Sequence, residues 1–114
     1  MAEKDLNTLV QKLQLQLSPA ALLEKVQNQI HKDFERSGIP DFELKNADPT
    51  RWNEEIQVLL KKLSSGELSH LLYLIDVPEI ILIQANTSEN RLFHLADAIL
   101  HRELLKVFYQ IQYK

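Results

Sequence analysis

Leu68 to Ile83, LSHLLYLIDVPEIILI, is the stretch on which the fold turns: eleven of its sixteen residues are apolar, and no window of that length holds more. Leaving so much apolar area in water is unfavourable, so the remaining segments are expected to cover it. Leu68, Leu71, Leu72 and Ile75 fall at i, i+3, i+4 and i+7, one face of a helix, and Tyr73 and Leu74 widen that face. Pro78 interrupts the run. Inside a helix it would remove a hydrogen bond and clash with the preceding turn, costing roughly 3 kcal/mol. Asp76-Val77-Pro78-Glu79 offers instead an N-cap aspartate, a first-turn proline and a glutamate at the capping-box position. Two helices meeting at Asp76 are therefore predicted, with a bent continuous helix as the second possibility. The β-branched run Glu79 to Gln84 also suits a buried strand, but Phe42-Glu43-Leu44 is the one partner the chain offers, and a poor one.

Working outward, the flanks are helical by the same test. Leu6, Leu9, Val10, Leu13 and Leu17 make an amphipathic helix of residues 3–17, with Asn7, Gln11, Gln14 and Gln16 giving a polar face of little charge. Ser18-Pro19 is a start signal for a second helix running to about Arg36, striped by Leu23, Val26, Ile30 and Phe34 and stopped by Ser37-Gly38. His31, beside Lys32 and Asp33, is expected at the surface. Residues 39–47 carry Pro40 and the alternation Phe42, Leu44, and are expected to form an extended strap that either covers the core or binds something. Asp48-Pro49 repeats the start signal for a helix striped by Trp52, Ile56, Leu59, Leu60 and Leu63. Ser64 to Glu67 has capping-box spacing. Ser88 is the expected cap of a long last helix, about 89–111. Its stripe is Phe93, Ala96, Leu100, Leu104, Val107 and Ile111, with Leu92, Leu95 and Ile99 broadening the first half. Tyr109, Tyr113 and Lys114 are expected to fray.

The predicted fold is a single all-α domain of residues 1–114: a compact bundle of about five helices with one extended loop, about 37–47. The chain has 114 residues, enough for a core without staples. It has no Cys, which excludes a disulfide framework, a cysteine zinc site and a cysteine nucleophile. A net charge of −3 argues against nucleic acid as the main partner, which would need a basic face. Met1-Ala2-Glu3-Lys4-Asp5 has no signal-peptide pattern, and the central stretch is too short and interrupted to span a bilayer, which needs ~20 apolar residues. These features predict a soluble cytoplasmic protein.

One constellation carries possible chemistry. His94, Asp97 and His101 lie at i, i+3 and i+7 and share a helix face within ~60°. Imidazole and carboxylate at such spacing can ligate a divalent metal, and His70, Asp76 or Glu79 would complete a site if the two helices packed antiparallel. The same spacing arises in ordinary helix-surface electrostatics, and there is no HExxH motif. His101-Arg102-Glu103 is expected as a solvated patch, with Glu103 placed to meet Lys106. No Gly-rich phosphate loop or Gly-x-Ser-x-Gly elbow is present, Ser69 and His70 point apart as helix neighbours, and the helix after Ser64-Ser65-Gly66 has no Lys or Arg before Ile75 to hold DNA.

Two stretches, LLYLIDVPE (Leu71 to Glu79) and LADAILHRELLKVFY (Leu95 to Tyr109), resemble a pattern in short uncharacterised bacterial helical proteins. The resemblance covers about the last third of the chain. It implies a bacterial origin and a helical fold, and no activity, cofactor or catalytic residue.

The leading functional expectation is a non-enzymatic interaction or accessory protein that binds a protein partner or a second copy of itself. Leu6, Leu9 and Leu13 are the expected contacts. Trp52 is expected in the core, with an interface role as the alternative. The competing expectation is a metal-binding helical protein or metalloenzyme using His94, Asp97 and His101 with His70. No cofactor is predicted.

Overall fold

A computed structural model describes residues 19–45 and 48–112. Among these, every regular element is helical: α1 (Pro19–Arg36), a 3-10 turn (Pro49–Arg51), α2 (Trp52–Lys62), α3 (Ser65–Ile75), α4 (Glu79–Asn86) and α5 (Arg91–Gln112). The predicted all-α bundle is what is observed. The helix expected over 3–17, with Leu6, Leu9 and Leu13, lies outside the described residues, as do Asn46, Ala47, Tyr113 and Lys114. No helix among the described residues is long and apolar enough to cross a membrane.

The core forms where the apolar stripes meet: Val26, Ile30 and Phe34 of α1, Trp52, Ile56 and Leu60 of α2, Leu68, Leu71, Leu72 and Ile75 of α3, and Leu95, Ile99 and Val107 of α5. Trp52 is buried in this core, so its packing role is the observed one. α5 is the axis that α1, α2, α3 and α4 all touch. Asp33 meets Lys106 and Gln29 meets Gln110, so α1 and α5 run antiparallel. Asn53 Nδ2 donates to Phe93 O (3.1 Å), tying the start of α2 to the start of α5.

Helix boundaries follow local chemistry. Asp48 caps the 3-10 turn: its carboxylate accepts from the Thr50 hydroxyl and amide, which holds its pKa below the usual carboxylate value. The capping box at α3 is formed as its spacing predicts: Glu67 N–H donates to Ser64 Oγ (3.1 Å), and Ser64 N–H donates to Glu67 Oε1 (2.8 Å). The helix break at Asp76 is real, but Asp76 plays another part. It closes α3 in the left-handed conformation (φ 68°, ψ 49°), its N–H bonding Leu72 O and Tyr73 O, while Val77 N–H also reaches Leu72 O. This is the Schellman-type ending usually given to glycine, and aspartate tolerates it better than most residues. α4 then starts from the extended Pro78, whose carbonyl accepts from Ile81 and Leu82. Residues 79–84 are helix, not strand.

Three further expectations are corrected. His31 is half-buried rather than wet: its Nε2 accepts the Leu44 N–H (3.0 Å) and so pins the strap. Phe42 stacks on Phe34 (centroids 4.8 Å apart), Leu44 is buried, and Lys45 N–H donates to Glu55 Oε1, so residues 39–45 cover α1 and join it to α2. Ser88 does not cap α5 directly. Its hydroxyl accepts from Asn90 N–H within the turn, and the helix opens two residues later, with Asn90 O accepting from His94. Phe93, assigned to the core stripe, is exposed, since Leu95 and Ala96 hold the inward positions.

Candidate functional site

The second half of the greasy stretch is not covered. α4 is eight residues long, EIILIQAN, and apolar residues occupy most of its circumference. A two-turn helix packed on one neighbour can bury only one face. Ala85 is buried against α5 and Leu82 is half-buried, while Ile80 is 60% exposed and Ile83 53%. Ile81 is also exposed, and Tyr73, on the last turn of α3, is 82% exposed. The expectation that Leu68 to Ile83 is buried throughout therefore fails at Tyr73, which points away from the buried face of α3, and again after Val77, where the reason is the shortness of α4 rather than its composition.

A cleft lies on either side of this ridge. One, of about 360 Å³, lies where α3, α4 and the start of α5 meet. Leu68, Leu72, Leu82 and Leu95 give it apolar walls, and Tyr73, Glu79 and Arg91 contribute to its lining. Arg91 Nε donates to Asn86 Oδ1 (2.8 Å). The other, of about 310 Å³, lies between α4 and α5 and is lined by Ile81, Gln84, Ala85, Ser88, His94, Asp97, Ala98 and His101. A third, of about 450 Å³, separates the strap from α2 and includes Ile39, Phe42, Val58 and Leu59.

The structure therefore brings His94, Asp97 and His101 to one cleft, as their spacing requires, but does not converge them on a point. Among the described residues no group of three His, Asp or Glu could hold a metal ion. The geometry explains this: seven residues of α-helix rise about 10 Å, whereas ligands of one ion lie about 2 Å from it. His70 is an exposed residue of α3 and lines neither cleft beside α4, so it does not complete the set. His94 is exposed and packs edge-on with Phe93 (5.3 Å).

A polar cluster in the α1–α5 seam was missed. Glu103, expected in a solvated patch, is 0% exposed, and Asp33 is 2% exposed. Lys106 Nζ lies 2.5 Å from Asp33 Oδ2 and 3.4 Å from Glu103 Oε1, so the predicted Glu103–Lys106 contact exists, but inside the fold. Gln29 Nε2 donates to Asp33 Oδ2 (3.2 Å) and Arg36 stands 3.8 Å from Oδ1. Burial above all, with the adjoining Asp33, pushes the Glu103 carboxyl up to about 9. Burial also acts to raise Asp33, but hydrogen bonds from Glu103, Lys106 and Gln29 and the lysine charge outweigh it and hold Asp33 below its ordinary value. Spacing is the signal that could have found the cluster. Glu103 falls in step with Ala96, Ile99 and Val107, and Asp33 with Val26 and Ile30, at positions the pattern reserves for apolar residues. Arg102, by contrast, reaches outward to Asp76 (3.2 Å).

The chain matches no family model, no curated protein and no solved structure.

Proposed function

We propose that this chain is a small, non-enzymatic helical interaction protein whose contact surface is the apolar ridge of α4. The observation that supports this is the exposure of Ile80, Ile81 and Ile83 within a single turn of α4, with Tyr73 exposed on the last turn of α3. Contiguous exposed apolar patches mark interaction sites more often than they occur by neglect. Fully burying one such side chain contributes roughly 1.5–3 kcal/mol, so a partner that covers three of them has a substantial driving force. The clefts beside the ridge offer places for partner side chains to enter. Leu6, Leu9 and Leu13 are the second contact set of this reading, on sequence periodicity alone.

The test is site-specific photocrosslinking in the cell that makes the protein. A benzophenone side chain is placed at Ile83, and at the exposed Lys61 of α2 as control. A discrete adduct to another chain at position 83 and not at 61 is the expected result. Equal background at both positions would overturn the reading. So would an internal adduct from position 83 to residues 1–17, since the ridge would then be a seam within this chain.

A further inference from the structure

Two carboxylates and one ammonium meet in the seam between α1 and α5, where water is scarce. If both carboxylates were ionised, the group would carry a net negative charge with little solvent to support it, which is costly. Arg36, 3.8 Å from Asp33, has a side chain that is 60% exposed and is mostly compensated by water, so the buried part of the cluster, two carboxylates and Lys106, is neutral only when one carboxyl keeps its proton. The hydrogen bonds say which. Asp33 is already served by Lys106, Gln29 and, at longer range, Arg36. Neither oxygen of Glu103 accepts a hydrogen bond, and the Lys106 ammonium stands 3.4 Å off. A protonated Glu103 can instead donate its O–H to Asp33, which turns an unsatisfied acceptor into a satisfied donor. The charged groups that act on Glu103 are Asp33 from α1 and Lys106 from α5 itself, and none comes from α2 or α3.

We infer that Asp33, Glu103 and Lys106 form a proton-linked latch between α1 and α5: Glu103 carries a proton while the helices are closed, and loss of that proton frees α1 from α5. Opening the seam puts Glu103 in water, where it ionises at ordinary carboxylate pH. Above that pH and below the pH at which the closed form ionises, each opening releases one proton. The population of the open form then rises about tenfold for each unit of pH. The latch works against the usual direction of acid denaturation, because acidification in this range tightens it. Release of α1 would uncover Val26, Ile30 and Phe34, so the seam has an apolar surface to present as well as a trigger.

Amide hydrogen exchange between pH 5.5 and 8, corrected for the intrinsic pH dependence of exchange, tests this. Peptides from α1 (residues 22–36) are compared with peptides from α3 (residues 65–75). The expected result is that protection of α1 falls about tenfold per pH unit while that of α3 changes less. In Glu103→Gln, which keeps a hydrogen-bond donor and cannot ionise, the α1 slope should vanish. An α1 slope that persists in Glu103→Gln, or no slope in the natural protein, overturns the latch. A fall shared equally by α1 and α3 overturns it as a local device. Should Glu103→Gln fail to fold, a carbon-13 titration of the Glu103 carboxyl in the natural protein decides: a midpoint well above 7 supports the latch, and one near 4.5 refutes it.

Discussion

Replacing Glu103 by glutamine should make the protein more stable, and by an amount that grows with pH. The Glu103 carboxyl titrates near 4.5 when unfolded and is pushed up to about 9 in the fold, foremost by burial. Between those values the native state holds a proton that the unfolded chain gives up. The stability Glu103 contributes is thus fully present below about pH 4.5 and is lost as pH rises toward 9. Asp33 acts oppositely: its lowered value contributes stability above about pH 4 that is lost as pH falls through its folded value. Taken together, these two groups favour the native state most near pH 4–5. Each pH unit of difference is worth about 1.4 kcal/mol, so at pH 7 retaining the proton costs roughly 3 kcal/mol. Glutamine does not bear this cost. It adds one buried N–H whose missing partner costs about 1 kcal/mol at every pH. The net stabilisation is then about 2 kcal/mol at pH 7, about 4 kcal/mol at pH 8.5 and near zero at pH 5. Urea unfolding followed by circular dichroism at those three pH values measures it, provided each transition is two-state. A difference that does not change with pH, or a glutamine variant weaker at all three, would refute the account of a buried, protonated Glu103.

Ser64→Ala removes one half of the capping box at α3 and should cost about 1 kcal/mol in urea unfolding, with no change in helix content by circular dichroism. Asp76 sits at φ 68°, so Asp76→Gly and Asp76→Ala both remove the exposed pairing with Arg102 but only alanine keeps the left-handed strain; glycine should be the more stable of the two by about 1 kcal/mol, and equality would show that the turn relaxes. His31→Ala strips the acceptor from the Leu44 amide and should cost about 1–2 kcal/mol, with exchange of that amide accelerating ahead of α3; an unchanged Leu44 rate would mean that Phe42 stacking alone holds the strap.

What the sequence discloses about this fold is set by how much each signal depends on neighbours. The Ser64–Glu67 box, the Asp48 cap and the stripe of Leu68, Leu71, Leu72 and Ile75 depend on residues within a turn or two, and all appear as their spacing predicts. Asp76 shows where local chemistry is ambiguous. An aspartate two residues before a proline fits a helix start or a left-handed helix end, and the orphan carbonyls of Leu72 and Tyr73 selected the end. His31 could not be placed from sequence, because its partner lies thirteen residues away in a segment without periodicity. His94, Asp97 and His101 were rightly assigned to one face, but an angular argument says nothing about separation along the axis. Over seven residues that separation is about 10 Å, and among the described residues no group of three His, Asp or Glu is placed to hold an ion.

The two larger failures mirror each other. Ile80 and Ile83 have core chemistry and lie in water, whereas Asp33 and Glu103 have surface chemistry and lie in the core. Composition misjudged both, but periodicity misjudged only one. Glu103 and Asp33 occupy inward steps of regular stripes, so their helices must bury them whatever they carry. α4 has no stripe to read, because four consecutive apolar residues, Ile80 to Ile83, span its circumference and eight residues provide too little length to wrap. Agreement among local signals is what drives a chain to one structure, so places where identity and position disagree impose a standing cost that an ordinary substitution would relieve. Glutamine at 103 or polar residues at 80 and 83 would relieve it here without disturbing any cap or turn. That such costs fall at the α1–α5 seam and on the α4 ridge is the reason to look for regulation at the first and recognition at the second.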